Sequence, residues 1–307
     1  MFNEWPHRHS EKAGRGRGIV HRMRGPWLFE GEEVFPELGG MRQLVQIGDF
    51  EEFGRGLVID GMAQLAEAIE PTYTTALIFP TALFAPSRRR WLIAGGGDGA
   101  AAREALAFQD TEEVRLVDLS RMVIAKTQEL IPSFWGGCQA DPRLQIVTRD
   151  VFAVMREMVE RGEQVDIIIS DLTDPEDLEY TPFAESTADH LYTEEGLQLF
   201  MSCLAPNGTF VMQAQELSLL RYEGHRRLRR LLQKITPKVI SYRVFIEFFG
   251  YWESFLVAFK EVFPGPDRVI ARLLQRHYRG TLGAHYSKGV HNSFFSLPPA
   301  LKRHLEG

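Results

Sequence analysis

The stretch 92-LIAGGGDGAAAREAL-106 runs from an apolar segment into three glycines, an aspartate and a fourth glycine, then into strong helix formers. A strand that ends in glycines and turns at once into a helix is the βα junction of a doubly wound sheet. The glycines permit a tight turn and close backbone approach, and the helix start offers backbone N–H groups to a ligand. Gly95, Gly97 and Gly99 give a GxGxG-like spacing that lacks the last glycine of the GxGxxG fingerprint, so dinucleotides and sulfonium nucleosides both stay open as ligands at this point.

The rhythm on the C-terminal side supports that reading. Short apolar runs alternate with amphipathic segments: 114-VRLVDL-119, 121-RMVIAKTQEL-130, 144-LQIVT-148, 151-VFAVMREMVE-160, 165-VDIIISDL-172, 194-EEGLQLFMSCL-204 and 208-GTFVMQA-214. Continuous apolar runs of this length suit strands buried on both faces by crossover helices, which predicts a doubly wound, mostly parallel α/β sheet over residues 86–307. The segments 239–249 and 254–260 are expected to add an antiparallel edge pair, and a helix is expected near 267–278 in a helical C-terminal tail. On the N-terminal side, 42-RQLVQIGDF-50 and 56-GLVIDG-61 have strand character, and a helix is expected after Pro71. Residues 26–85 therefore read as a small β-rich domain with a connecting helix. Residues 1–25, with their basic 14-GRGRG-18, read as a flexible arm, and 86-PSRRR-90 as a polar linker.

Composition narrows the function classes. The chain of 307 residues is 44% hydrophobic and 25% charged, enough to bury a normal core, and its net charge of −6 comes without any single-sign block that would mark a nucleic-acid surface. No run of eighteen apolar residues predicts a membrane span, and the N-terminus has no apolar signal core. Cys138 and Cys203 are the only cysteines and are far apart, which suggests a reducing, cytoplasmic setting and no thiolate metal site.

Three strand ends carry the candidate nucleoside site: the glycine loop with Asp98, then Asp118 about twenty residues later, where dinucleotide folds receive ribose hydroxyls, then Asp150. Asp150 alone also has a reading as the N-cap of the helix that follows. The fourth strand ends in 171-DLTDP-175, whose Asp171 and Asp174 project into the ligand crevice and suit an ammonium group and its proton. The run 225-HRRLRR-230 reads as a solvated helix face.

Taken in order, 57-LVIDG-61, 64-QL-65, 95-GGGDG-99 with 103-RE-104, 118-DLSRMVI-124, 141-DPRL-144, 171-DLTDP-175, 191-LYTEE-195 and 213-QAQE-216 resemble the polyamine aminopropyltransferases, the family of spermidine, spermine and thermospermine synthases. The resemblance covers about residues 25 to 260. It implies a Rossmann-like sheet of the class I methyltransferase type behind a small N-terminal β-rich domain, and a transferase that moves an aminopropyl group from decarboxylated S-adenosylmethionine to an amine. It implies no metal and no prosthetic group, a small-molecule amine as the partner, and a homo-oligomer. It assigns Gly95, Gly97, Asp98, Gly99 and Asp118 to the donor's nucleoside, Asp150 to its adenine and Gln43 to the sulfonium tail. Asp171 would position and deprotonate the attacking amine. Asp174, Glu70 and Gln213 would hold the acceptor.

Three positions depart from the family pattern. Ile69 stands where the family has an aspartate for the donor's ammonium, Arg42 stands before Gln43 where the family has a tyrosine, and Glu247 and Phe248 replace residues of the acceptor strand. Losing an acid at Ile69 and gaining a guanidinium at Arg42 would favour ordinary S-adenosylmethionine, whose carboxylate pairs well with arginine. An S-adenosylmethionine-dependent N-methyltransferase or aminocarboxypropyltransferase on the same fold is therefore the alternative expectation.

Overall fold

The computed structural model describes residues 3–6, 20–172, 192–236, 238–261 and 277–306. In chain order the strands are β1 (Asn3–Pro6), β2 (Val20–Met23), β3 (Phe29–Phe35), β4 (Met41–Phe50), β5 (Gly54–Ile59) and β6 (Met62–Ala66), followed by helix α1 (Glu70–Phe84). Next come β7 (Arg90–Gly95), α2 (Ala100–Leu106), β8 (Glu113–Asp118), α3 (Arg121–Leu130), the short α4 (Pro132–Trp135), β9 (Leu144–Thr148), α5 (Val151–Glu160) and β10 (Val165–Asp171). The rest are α6 (Glu194–Ser202), β11 (Leu204–Glu216), α7 (Glu223–Ile235), β12 (Val239–Ile246), β13 (Tyr251–Phe259), α8 (Lys288–Phe295) and α9 (Pro299–Glu306). No helix among the described residues is long and apolar enough to cross a membrane.

The N-terminal strands form an antiparallel sheet centred on β4, which pairs with β3 on one side and β5 on the other. Asp60 and Gly61, both with positive φ, make the two-residue turn that joins β5 to β6. The turn is held by a bond from the Leu44 amide to the Asp60 carboxylate. Where composition predicts only a flexible arm, β1 and β2 pair with each other and β2 joins β4 through Met23 and Phe50. Pairing across a glycine- and arginine-rich spacer is non-local and leaves no periodic trace in the sequence. The expected linker 86-PSRRR-90 also turns out structured at Arg88. Its guanidinium is buried and bonds to the carbonyls of Ala82 and Ala85 and to the Asp110 carboxylate.

The second sheet has the order β12-β13-β11-β10-β7-β8-β9. Strands β7 to β11 are parallel, and β13 and β12 add antiparallel at one edge, as the sequence predicts. Chain direction reverses around β7: the fold first builds outward through β8 and β9, then returns to lay β10 on the other side. The crevice beyond the carboxyl ends of β7, β8 and β10 is thus the topological switch point where ligands bind in such sheets.

Strand alternation divides the core. Trp91, Ile93, Ile167, Ile169, Val211, Phe255 and Val257 face the side that carries α1 and α2. Leu92, Ala94, Ile168, Phe210, Met212 and Leu256 face the side covered by α5, α6 and α7. Helix α1 is buried nearly all round, including both its polar end at Glu70 and Tyr73. It is wedged between the two sheets, so its first turn lies at the mouth of the crevice. The expected helix at 267–278 falls mostly outside the described residues. Tyr278 and Tyr286 pack their rings on Phe79 of α1.

Candidate active site

The glycine loop is built against the end of β10. Gly95 has φ +78°, and a Cβ there would lie 2.0 Å from the Asp171 carbonyl oxygen, so no other residue fits without moving that strand end. The Gly96 amide donates to the same oxygen at 3.0 Å. A Cβ on Gly97 would lie 2.6 Å from the Asp118 carboxylate, which accepts the Gly97 amide at 2.8 Å and the Ser120 amide at 2.8 Å. The Ala100 amide, just after Gly99, is taken by Asp98 Oδ1 at 2.8 Å. Thus the loop amides expected to greet a ligand instead orient Asp98 and Asp118.

Asp98, Asp118 and Asp171 keep part of their surface open to the crevice while protein encloses them on the other sides. Tyr73 of α1 donates its hydroxyl to Asp171 Oδ1 at 2.7 Å. Burial pushes Asp171 up to about 6; the Tyr73 hydrogen bond pulls it back and the Asp118 charge raises it. Burial, and after it the Asp171 charge, pushes Asp98 up to about 8. Asp118 rises to about 6 by burial, against the pull of its two amide hydrogen bonds, with a further push from Glu33. The Tyr73 hydroxyl is held well above its usual value by burial, then by Asp171 and Glu253. Several carboxylates that resist simultaneous ionisation, facing one crevice, make a receptor for cations: a bound positive charge relieves both their desolvation and their mutual repulsion.

Two buried amides lie on the sheets nearby, Gln43 opposite Glu33 and Gln213 opposite Phe255. Gln43 of β4 and Gln213 of β11 are buried, and the Oε1 of each has no hydrogen-bond partner among the described residues. A buried amide oxygen left unpaired costs free energy and is ready to accept an N–H from a ligand. Glu70 is buried one helical turn before Tyr73 and accepts from Arg103 at 2.8 Å. Arg103 also binds Glu104 at 2.7 Å and so ties the first turn of α1 to α2. Asp150 N-caps α5, accepting from the Phe152 and Ala153 amides, with its carboxylate at the same strand edge as Asp118.

The structure does not bring Arg42, Ile69, Glu247 or Phe248 into this group. Arg42 and Gln43 are successive residues of β4 and point to opposite faces. The Arg42 side chain is 67% exposed and pairs with Glu32 at 2.6 Å, on the solvent side. Ile69 is buried in the core at the start of α1. Glu247 is an exposed turn residue between β12 and β13. Phe248 is fully buried, stacked on His21 at 4.7 Å and packed on Phe50 and Phe53, so it fastens the β12–β13 turn to the N-terminal sheet. Asp174 lies outside the described residues.

Sequence reasoning missed Tyr73, Glu33 and Glu253. Tyr73 had a usable signal, because a tyrosine one turn into a buried helix must find a partner for its hydroxyl. Glu33 stands opposite Gln43 in the sheet register. It accepts from the Ser120 hydroxyl at 2.5 Å and the Met122 amide at 3.1 Å, so it binds the N-terminal sheet to the helix start beside Asp118.

The family profile described as the spermine/spermidine synthase domain matches residues 70–263. Polyamine aminopropyltransferase 1 of Hyperthermus butylicus is 33% identical over 249 residues, 80% of this chain and 82% of that protein. The polyamine aminopropyltransferase of Pyrobaculum calidifontis is 31% identical over 259 residues, 83% of this chain and 86% of that one. Among solved structures, spermidine synthase from Thermotoga maritima superposes with a TM-score of 0.81 at 24% identity, covering 100% of this chain and 94% of that one. A spermidine synthase in complex with the transition state analogue AdoDATO superposes with 0.83 at 23% identity, covering 100% and 95%. At these identities the two structures speak for the fold; the profile and the sequence relatives carry the assignment, and the chain belongs to the spermine/spermidine synthase family.

Proposed function

We propose that this protein transfers the aminopropyl group of decarboxylated S-adenosylmethionine to an amine nitrogen of a polyamine-like acceptor and releases methylthioadenosine. The observation that carries the reading is the set Asp98, Asp171 and Tyr73 at the switch point of the sheet: Tyr73 bonds to Asp171, Asp98 lies within reach of the Asp171 charge, and a bound cation would draw both acids into their charged form. Asp118 faces the donor's ribose and Gln43 its sulfonium tail. Asp171 takes the acceptor nitrogen. Its proton moves to the carboxylate, and the freed lone pair attacks the carbon next to sulfur. The C–N bond forms, the C–S bond breaks, and its electron pair stays on sulfur as a neutral thioether. Tyr73 holds Asp171 ionised and oriented, and the 171-DLTDP-175 motif supplies Asp174 as a second acceptor contact. Most of the rate comes from holding two reactants in line.

The donor follows from charge. Ordinary S-adenosylmethionine carries a carboxylate into a site already lined with carboxylates. A further anion there adds to the repulsion among acids whose burial already pushes Asp98, Asp118 and Asp171 upward, whereas the decarboxylated donor brings only positive charge. Arg42, the guanidinium that would offset this, is turned away and paired with Glu32. The methyltransferase alternative thus loses the arginine that motivated it. Side-by-side calorimetric titration tests the choice. The decarboxylated donor should bind at least tenfold tighter, and Arg42→Ala should leave both affinities unchanged. Tighter binding of S-adenosylmethionine, abolished by Arg42→Ala, would overturn it.

A further inference from the structure

The run 225-HRRLRR-230, whose sequence suggests a solvated helix face, turns its first residue into the sheet. His225 is 0% exposed and shares the inner face of α7 with Leu228 and Leu232, against β11 and β12. Its ring reaches two serines of the edge strands. Nδ1 lies 2.7 Å from Ser254 Oγ of β13, and Nε2 lies 2.8 Å from Ser241 Oγ of β12. Ser254 Oγ also meets the carbonyl oxygens of Ala214 and Gln215, at 2.9 and 2.6 Å. Ser241 Oγ also receives the Arg229 guanidinium at 3.1 Å.

The chemistry of these groups fixes where the protons lie. Ser254 has one hydroxyl proton and two carbonyl oxygens in reach, neither of which can donate. Were that proton given to the ring, the Gln215 oxygen would face a bare hydroxyl oxygen at 2.6 Å. The serine therefore donates to the backbone, and Nδ1 carries the proton that Ser254 accepts. On the other side Arg229 can only donate, so Ser241 accepts from it and gives its own proton to Nε2. Burial, and after it the Arg229 charge, pushes His225 down to about 3, so the ring is neutral near pH 7. The hydrogen bonds all run one way, from Arg229 through Ser241, His225 and Ser254 to the carbonyls of Ala214 and Gln215.

Those carbonyls belong to an irregular piece of β11. Gln213 pairs with Phe255 and Glu216 with Glu253, so β11 spends one residue more than β13 between the two pairs, which makes a bulge. Gln215 within it has φ +66°, a left-handed conformation that costs a residue with a side chain free energy and persists only where its surroundings hold it. Its side chain lies over Gly224, just before His225, and leaves no room for a Cβ there. On the other edge of β11, Ser170 pairs with Met212, so the bulge follows directly on the part of β11 that lies beside Asp171. We propose that His225 is a positioning residue for the transfer reaction: held as its Nδ1–H tautomer, it clamps the bulge that ends β11 next to Asp171. The kinetic consequence rests on the aminopropyl-transfer reading; the tautomer does not.

Two measurements on the full chain test this. The first is nitrogen NMR of the histidine rings near neutral pH, with His225 assigned by the signals lost in His225→Asn. Nδ1 should carry the proton and Nε2 should show the shift of a bare ring nitrogen. A protonated Nε2 in the wild-type protein would overturn the assignment. The second is the steady-state rate of methylthioadenosine release from the decarboxylated donor in two variants. His225→Asn keeps an N–H where Nδ1 stood, so its kcat should stay within about threefold of wild type. His225→Gln sets its amide at the Nε2 position and leaves Ser254 without its donor, so its kcat should fall about tenfold or more, with the KM for the donor unchanged. Thermal midpoints of the two variants should match, because each fills the site and loses one hydrogen bond. Equal kcat in the two variants, or a kcat difference that merely follows their thermal midpoints, would overturn the positioning role. An Nδ1–H ring in a protein that releases no methylthioadenosine would sink the transfer reading and leave the hydrogen-bond chain standing.

Discussion

Tyr73 and Asp171 form the contact on which the proposed chemistry turns. A hydroxyl that donates to a carboxylate favours its charged form and lowers its pKa. Removing the hydroxyl therefore raises the Asp171 pKa from about 6. In the proposed reaction the carboxylate is the working form, so activity should fall as pH drops through that value. In Tyr73→Phe the acidic limb of kcat/KM should move to higher pH and the plateau should fall about tenfold or more, within the range of a lost general-base partner. An unmoved limb would mean that Tyr73 does not act on Asp171. Gly95, Asp118 and Asp171 were legible in the sequence because each ends a strand, and strand ends can be counted. Tyr73 carried only the general signal of a buried hydroxyl that needs a partner, because α1 is buried nearly all round and offers no periodic contrast to mark the face that matters. Arg42 and Ile69 looked informative only while their positions were compared one by one. The two-residue alternation of β4, which sends Arg42 away from Gln43, decides the matter.

Individual elements divide between those with a local signature and those made by distant partners. The parallel strands and their helices follow from apolar runs, and the antiparallel β12–β13 pair follows from two such runs in succession. The β1–β2 pair forms across the intervening spacer and the buried Arg88 is held by single side-chain bonds to the end of α1 and to Asp110, and neither leaves a pattern in the sequence. Phe248 belongs with them. Its place on the family's acceptor strand predicts contact with substrate, but it packs its ring on His21, Phe50 and Phe53 and so fastens the β12–β13 turn to the first sheet. Phe248→Ala should therefore cost about 3–5 kcal/mol, the usual price of emptying a buried aromatic site. Denaturant unfolding would register this as a lower midpoint. Amine affinity lost at unchanged stability would instead restore Phe248 to the acceptor pocket.

Across the whole molecule the two sheets close on one crevice, and Glu33 is the strut between them. Its carboxylate sits on the start of α3 beside Asp118 while its strand partner Gln43 faces the same cleft. Glu33→Gln should raise the KM for the donor several-fold with little change in kcat, because it loosens the wall that holds the nucleoside and leaves Asp171 in place. A fall in kcat at constant KM would place Glu33 in the chemical step instead. At this scale the sequence conveyed the sheet order's logic and the family. How the domains meet rests on single side chains that no pattern marks.

The central claim is that the crevice joins an aminopropyl donor to an amine, and the most direct measurement is product identity. Purified protein would be incubated with decarboxylated S-adenosylmethionine or S-adenosylmethionine, with and without a diamine, and the products identified by mass. The account predicts methylthioadenosine and an amine lengthened by one aminopropyl unit in equal amounts, from the decarboxylated donor only, and lost in Asp171→Asn. S-adenosylhomocysteine and a methylated amine from S-adenosylmethionine would contradict it.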